Sequence, residues 1–563
     1  MKILRSDLAA LLCILLFSAL FVSDLFISKG LPTTFDNPFH TTNITQFFLA
    51  IKDGDFPVRW SDGFGNYGLP IPIVAHQLTS YLGALQLFLG MTPEISLKIL
   101  YFLGVFFSAL FFYIFMRLYV QRVYALVSTF MLTFSSYRIF DVYVRGALPE
   151  VFSGIFLPTI LIGSFLYIKK QKIAGFYLVM ISVFLLALNH PMMLFLYSFI
   201  FVPYIIWLLL ADEKITISTL LKTFTSRKAV ILVFSGCVGV MMASFYLIPL
   251  TKEIKYFYFG HLDNPFNKNS FLSLANIFSN TWPYFTDKEI SPRGHVVLLG
   301  LVESFLVLFG AIILIIEKFK KKGKIGTSLL FFAILECFFL LFIMSPFAST
   351  LFTSNKFLGN IQFQWRILSV FIFIPPIILG YSLSKFHKNS FVIVAIVVIS
   401  FISFPQIYGK NYQVINEGVY YFTPYNVHSI MMNTIWTGKT EEYPVRGNKS
   451  DIIDGKGKID QLFVLNSKRA YQIDAKTPLR LVDYTFYFPG WQVSVDGSPS
   501  DIEFQDPQFR GVITYHVPQG KHKVLIEFKE TKLRLFADII SMVGLMLFIM
   551  LLFLKNKINR FIS

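Results

Sequence analysis

The chain has 563 residues, of which 55% are hydrophobic, 17% aromatic and 15% charged, with a mean hydropathy of +0.61. Ordinary soluble domains carry about 25% charged residues, so a purely water-soluble protein is excluded. The net charge of +17 would suit a nucleic-acid binder, but Lys and Arg stand in short clusters between apolar runs, which is the pattern of membrane-protein loops, and no nucleic-acid partner is expected. Cys13, Cys237 and Cys337 all lie inside apolar runs. They form neither a disulfide framework nor a metal-ligand spacing, and no cofactor is expected.

A helix needs about 20 largely apolar residues to cross a bilayer. Twelve such runs are predicted, at 6–28, 97–116, 119–136, 150–168, 173–189, 191–211, 229–250, 295–316, 328–346, 366–384, 391–407 and 534–555. The first follows Lys2 and Arg5 and ends at Ser28-Lys29-Gly30 without a small-x-small cleavage site, so it reads as a retained signal anchor. A thirteenth run, Ile73 to Gly90, reads as re-entrant or interfacial, because as a span it would invert every later loop. With that choice Lys2/Arg5, Arg117/Arg122, Lys169/Lys170/Lys172, Lys214/Lys222/Arg227/Lys228, Lys318 to Lys324, Lys385/Lys388 and Lys555/Lys557/Arg560 fall on one side. The positive-inside rule makes that side, and both termini, cytoplasmic.

The outer segments are then 29–96, 137–149, 251–294, 347–365 and 408–533. In the last, Leu479 to Phe488, Trp491 to Val495, Gly511 to Val517 and Lys523 to Phe528 read as strands. Turns at Asp496-Gly497 and Pro518-Gln519-Gly520 separate them, the second joining a hairpin. The expected fold is a polytopic α-helical membrane protein of about twelve helices with a C-terminal extracytoplasmic β-sandwich. Its parts are a transmembrane domain at 1–407, a tethered β domain at 408–533, and a last helix with a basic tail at 534–563. No internal repeat stands out, which weighs against transporters built from two matching halves.

The first outer loop opens Phe35-Asp36-Asn37-Pro38-Phe39-His40, and Ile44, Phe47, Phe48 and Ile51 follow at helical spacing, predicting an interfacial amphipathic helix. Asp36 is either its cap or a carboxylate that takes a proton from an acceptor hydroxyl, with His40 one turn on. The Gly, Pro and aromatic residues between Asp53 and Pro70 describe an ordered irregular loop. Arg145 either grips a phosphate at the membrane surface or pairs with Glu150 or Asp141. His190, Glu253 and Arg366 fall on the same side as Asp36 and suggest one site at headgroup level. Glu303 and Glu336 lie mid-helix and read as a packing pair, a proton relay being the functional alternative. Trp491, Tyr487 and Phe488 beside a Pro-Gly turn are either a platform for sugar rings or the β domain's own core.

Several of these stretches resemble the bacterial YfhO-like membrane proteins, also labelled 6-pyruvoyl-tetrahydropterin synthase-related membrane proteins and related to the GT-C glycosyltransferases. The resemblance runs through Asp36 and His40, Asp55 to Trp60, Gly65 to Pro70, Val144 to Ala147 with Glu150, Asn189-His190-Pro191, Tyr246 to Pro249 with Glu253, and Gln364-Trp365-Arg366. At the C-terminal end it is carried by Tyr487 to Trp491, Val495-Asp496-Gly497 and Val517 to His522. It implies a transferase in the bacterial cytoplasmic membrane that moves a sugar from a polyprenyl-phosphate carrier to an extracytoplasmic glycan or polymer. Asp36 would be the catalytic base with His40 as orienting neighbour, and Arg145 and Arg366 would bind the carrier phosphate. Glu150, His190 and Glu253 would support them, and Trp491 would bind acceptor. Asn37 follows Asp36, so no metal site is carried over. The rivals are a lipid-linked-oligosaccharide or ion-coupled transporter using Glu303 and Glu336, and a non-catalytic envelope scaffold.

Overall fold

Each predicted apolar run coincides, at least in part, with a helix in the computed structural model. The structure describes residues 8–210, 217–261, 271, 301–319, 329–359, 361, 363–386, 389–409, 411–421, 433–438, 443–444 and 446–555. Lys2, Arg5, Lys214, Lys320 to Lys324, Lys388, Lys557 and Arg560, most of the outer segment 251–294 and the start of the 295–316 run lie outside them. Among the described residues six helices are long and apolar enough to cross alone: Leu8–Ile27, Pro93–Met116, Leu148–Ile168, Pro191–Leu210, Gln364–Phe386 and Lys532–Phe553. Three more runs are bent pairs, Arg122–Thr133 with Ser136–Arg145 (40°), Arg227–Met242 with Ser244–Tyr256 (71°) and Leu329–Met344 with Pro346–Ser354 (70°). Ile173–Asn189 and Ser390–Gln406 are shorter, and Leu301–Phe319 carries Glu303, Glu317 and Lys318. The described helices thus make a multi-pass membrane protein of six to nine spans by length and composition, and do not account for all twelve expected.

The bends have local causes. Pro346 cannot continue the Leu329–Met344 helix, because it has no N–H to donate. At the 71° bend, Ser541 of the last helix accepts a hydrogen bond from Phe245 N (2.6 Å) and donates one to Met241 O (3.3 Å). A neighbouring helix thereby satisfies the backbone groups that the bend releases. Glu336 is buried on Leu329–Met344, and its Oε2 has no hydrogen-bond partner among the described residues. The expected pairing with Glu303 lies outside the described side chains.

The Ile73 to Gly90 run is not one helix. It divides into Ile71–Val74 and Gln77–Phe88, broken at Ala75-His76. At 1.5 Å per residue the longer piece spans only about 18 Å, short of the roughly 30 Å hydrocarbon core. The Asn37–Lys52 helix packs against it so closely that a Cβ on Gly83 would stand 2.5 Å from Ile44. That helix was expected to lie amphipathic in the interface; instead His40, Thr41, Thr42, Asn43, Thr45 and Gln46 are buried along with Ile44 and Phe47. Its polar side chains find partners inside the protein: Thr45 donates to Tyr420 O (2.7 Å), Gln46 donates to Tyr421 O (3.1 Å), and Gln46 accepts from Ser61 (2.6 Å).

Eight strands form the C-terminal unit: β1 (Ser450–Asp454), β2 (Gly457–Val464), β3 (Lys468–Ala475), β4 (Leu479–Phe486), β5 (Trp491–Val495), β6 (Ser498–Ser500), β7 (Val512–Val517) and β8 (Gly520–Phe528). They make two antiparallel sheets, of order β1-β4-β7 and β2-β3-β8-β5-β6. Asp496 and Gly497 both take positive φ (50° and 82°), the requirement of a tight type I′ hairpin turn, and join β5 to β6. The Pro518-Gln519-Gly520 turn does not close the expected hairpin, because β7 pairs with β4 and β8 with β3 and β5, so the chain passes there from one sheet to the other.

Nor is the β unit a separate tethered body. Val58, Trp60, Tyr67, Leu69 and Ile71 of the first outer loop share one buried cluster with Tyr471, Leu481, Phe486, Trp491 and Ile526. Around it Asp62 meets Arg469 and Lys449, each at 2.8 Å. Asn466 binds Asp53 and Asp55, both at 2.7 Å, and Phe486 N donates to Tyr67 O (2.9 Å). Arg59 closes the junction on Glu530 (3.1 Å) and Asp538 (2.7 Å) of the chain leading into and along the last helix.

Candidate functional site

Asp36 stands at the N-terminus of the Asn37–Lys52 helix, but its side chain makes no capping hydrogen bond. Thr34 Oγ1 accepts from Asn37 N instead (3.2 Å). The Asp36 backbone N–H donates to Arg145 O (2.8 Å), which ties the start of the helix to the Asp141–Arg145 turn. Gly146 permits that approach: its φ is +72°, and a Cβ there would stand 2.3 Å from Thr34 Oγ1. Burial raises the Asp36 carboxyl pKa, while Arg145 and Arg366 oppose the rise.

Glu150 is the centre of the charged cluster. Arg145 grips it with both arms, Nη1 to Oε2 at 2.8 Å and Nη2 to Oε1 at 2.9 Å, and also reaches Asp141 (2.8 Å). The Arg145 guanidinium lies 5.1 Å from the Trp365 ring. Arg366 brings Nε to 2.8 Å from Glu150 Oε1, an ionic contact whose angle does not make a hydrogen bond. Arg366 is the more accessible cation, its side chain 16% exposed against 8% for Arg145. The ion pair offered as the plain alternative for Arg145 is therefore formed, and its fork is already engaged.

Three buried or half-buried imidazoles from three elements stand beside this cluster. His40 comes from the Asn37–Lys52 helix, His76 from the break before Gln77–Phe88, and His190 from the junction of Ile173–Asn189 and Pro191–Leu210. Their ring centroids are 5.8 Å apart for His40 and His76 and 4.6 Å for His76 and His190. Asn189 fixes the third, donating to Pro149 O (2.7 Å) and Ser153 Oγ (2.8 Å) beside Glu150. The Nδ1 atoms of His76 and His190 are buried without a hydrogen-bond partner among the described residues. Burial pushes His40 and His76 down to about 3, with a neighbouring imidazole and an arginine adding to the effect. Both are neutral at physiological pH, and a neutral imidazole both donates and accepts, as a sugar hydroxyl does.

Of the residues predicted from sequence, Asp36, His40, Arg145, Glu150, His190 and Arg366 come together here. Glu253 does not: it is buried against Arg534, both carboxylate oxygens 3.1 Å from Nε, beside the β unit. The helix carrying it bends by 71° at Ala243, and the side chain meets the last helix. Trp491 is also corrected. It is 4% exposed, 5.1 Å from Trp60 and 5.3 Å from Phe528 in ring centroids, with Arg469 over its face at 4.8 Å, so it serves as core and offers no platform to a glycan. Tyr487 is stacked on Phe504 (3.7 Å) and Phe488 is fully buried. His76 was missed; a lone histidine interrupting an apolar run between Pro72 and Leu78 was the available signal. Among the described residues no group of three or more His, Cys, Asp or Glu side chains has a metal-holding arrangement.

An apolar cavity of about 820 Å³ opens between the Ile173–Asn189, Pro191–Leu210 and Arg227–Met242 helices. Pro191, the residue after His190, lines it with Val183, Phe195, Val202, Leu232 and Val240.

No family model and no curated protein matches the chain. Among solved structures it is similar to glycosyl-transferring proteins. The arabinofuranosyltransferase AftD from Mycobacteria is similar at 10% identity and a TM-score of 0.40, over 72% of this chain and 27% of that one. The Archaeoglobus fulgidus oligosaccharyltransferase, in the apo form, is similar at 14% identity and 0.37, over 71% and 55%. The AglB oligosaccharyltransferase of the same organism, in complex with an inhibitory peptide and a dolichol-phosphate, is similar at 12% and 0.41, over 76% and 60%. The chain thus spans about a quarter to three fifths of the proteins it resembles, and TM-scores below 0.5 assign it neither their fold nor their activity.

Proposed function

We propose that this chain is a membrane glycosyltransferase of the GT-C type, moving a sugar from a polyprenyl-phosphate-linked donor to an extracytoplasmic glycan acceptor. The observation that carries the reading is Asp36: a carboxylate without a capping bond, its basicity raised by burial, within the field of Arg145, Arg366 and Glu150. In this reading the acceptor hydroxyl attacks the anomeric carbon and its proton passes to Asp36. The bond from that carbon to the carrier oxygen breaks, and the electron pair leaves on the polyprenyl phosphate. Arg366 stabilises the departing phosphate, since a guanidinium matches phosphate oxygens in a planar fork. Arg145 holds Glu150, and through it Arg366, in place. The three clustered imidazoles hydrogen-bond the sugar hydroxyls, and the apolar cavity takes carrier isoprene units. The site then faces the outer side of a bacterial cytoplasmic membrane, with both termini cytoplasmic.

Mass spectrometry of lipids that copurify with the protein tests the reading. The expected result is a polyprenyl monophosphate or its sugar ester, lost in an Arg366→Gln protein. Copurification of an intact lipid-linked oligosaccharide that is never transferred would favour the transporter reading instead.

A further inference from the structure

A second cavity, of about 390 Å³, lies where the first outer loop meets the β unit, and its lining is polar and aromatic. Tyr67, Tyr443, Tyr484, Phe509, Arg446 and Arg510 form its walls. The rings are held in place. Tyr67 stacks on Phe486 at 5.0 Å and lies 5.6 Å from Tyr443 and 5.8 Å from Tyr484. Tyr443 OH accepts from Gly438 N and donates to Arg510 O, both at 2.7 Å, and Tyr67 OH donates to Pro444 O (3.1 Å). The Arg446 guanidinium lies 5.1 Å from the Tyr484 ring.

The charges are not balanced within this cavity. Asp506 and Glu503, on the loop that builds one wall, are taken by Arg480 at 2.7 and 2.8 Å. Asp451 is within the field of Arg446 and is bonded by Asn448 (3.3 Å). Among the described residues neither Arg446 nor Arg510 reaches a carboxylate at ion-pair distance. Both side chains are exposed at the rim. Fixed tyrosine faces offer the apolar side of a sugar ring a surface, and two exposed guanidiniums offer a carboxylate or phosphate a bidentate grip.

We propose that this cavity is a binding subsite for an anionic glycan, a sugar strand bearing carboxylate or phosphate groups, which it presents to the transfer site. The proposal rests on the transferase reading for its role, but its chemistry is tested without turnover. Full-length protein in phosphatidylcholine nanodiscs is titrated with oligogalacturonate, with poly(glycerol phosphate) and with neutral dextran. One or both anionic oligomers should bind, more weakly as salt rises, and the one that binds identifies the anion. Arg446→Gln and Arg510→Gln should each weaken binding at least about tenfold, the usual reach of a charge-assisted pair. Lys458→Gln, which removes the same charge from an exposed site on β2, should leave binding unchanged. Equal binding of dextran, an equal loss with Lys458→Gln, or binding of neither anion would each overturn the proposal. An Asp36→Asn protein should bind these oligomers as the parent does, so a failure of the transferase reading is separable from a failure here.

Discussion

Asp36 and Asn differ by one proton-accepting group and little else. Since the Asp36 side chain caps nothing in this structure and burial disfavours its charged form, Asp36→Asn should not lower the melting temperature. Transfer of sugar from a purified polyprenyl-phosphate donor should fall by about 10²- to 10⁴-fold, the usual contribution of a general base. Near-normal transfer by the inserted protein would remove Asp36 from the mechanism. The imidazoles make a separate prediction about pH. The folded-state pKa of His40 and of His76 lies at about 3, against an ordinary 6.5, so between these values the unfolded chain binds protons that the folded one refuses. Stability should be at its full value above pH 6.5 and fall as pH drops, by up to about 1.4 kcal/mol per pH unit for each histidine. Thermal unfolding between pH 7.5 and 5 checks this, and His76→Gln should make the slope shallower.

At the scale of elements, the seam between the first outer loop and the two sheets is where sequence and structure part most clearly. Trp491 begins β5 and looks, on the chain alone, like an aromatic beside a turn. Its ring is instead enclosed by Trp60, Phe528 and Arg469. Trp491→Ala should therefore leave a cavity and cost about 3–5 kcal/mol, read as a lower melting temperature, while the acceptor KM of the folded fraction stays unchanged. A raised KM without loss of stability would restore the platform reading. Four strands, β1, β2, β3 and β6, lie outside the stretches read as strands in the sequence, and two of them have a related explanation. β2 is an edge strand with most of its residues exposed or half-buried, so burial imposes little alternation on it. β3 turns Arg469 inward, where Asp62 and Asp483 receive it at 2.8 and 3.5 Å. An inward arginine breaks the hydrophobic alternation that marks a strand.

For the whole molecule, the orientation rests on the basic clusters, and cysteine labelling tests it. With Cys13, Cys237 and Cys337 replaced by Ser, single cysteines at the exposed positions Lys52 and Ser498 should react with a membrane-impermeant thiol reagent in intact cells. One at exposed Thr225, beside Arg227 and Lys228, should not. Labelling at Thr225 would invert the topology and remove the site from the outer face.

The sequence by itself determined where the chain is apolar, that it crosses a membrane, and that its C-terminal end carries strands over the Leu479 to Phe528 region. These follow from local composition and period, which neighbours in sequence share. It also marked Asp36, His40, Arg145, Glu150, His190 and Arg366, because charged and imidazole groups next to long apolar runs are costly and stand out. Tertiary structure alone decided how they meet. The partners of Glu150, Glu253 and Trp491 come from other helices and other loops, and local pattern carries no record of them. The bend at Ala243 that sends Glu253 to Arg534, the break at His76 that completes the three imidazoles, and the shared core that fuses the first outer loop to the β unit all arise from long-range packing. In each case burying a side chain against a distant element outweighed what its own stretch of sequence would have chosen.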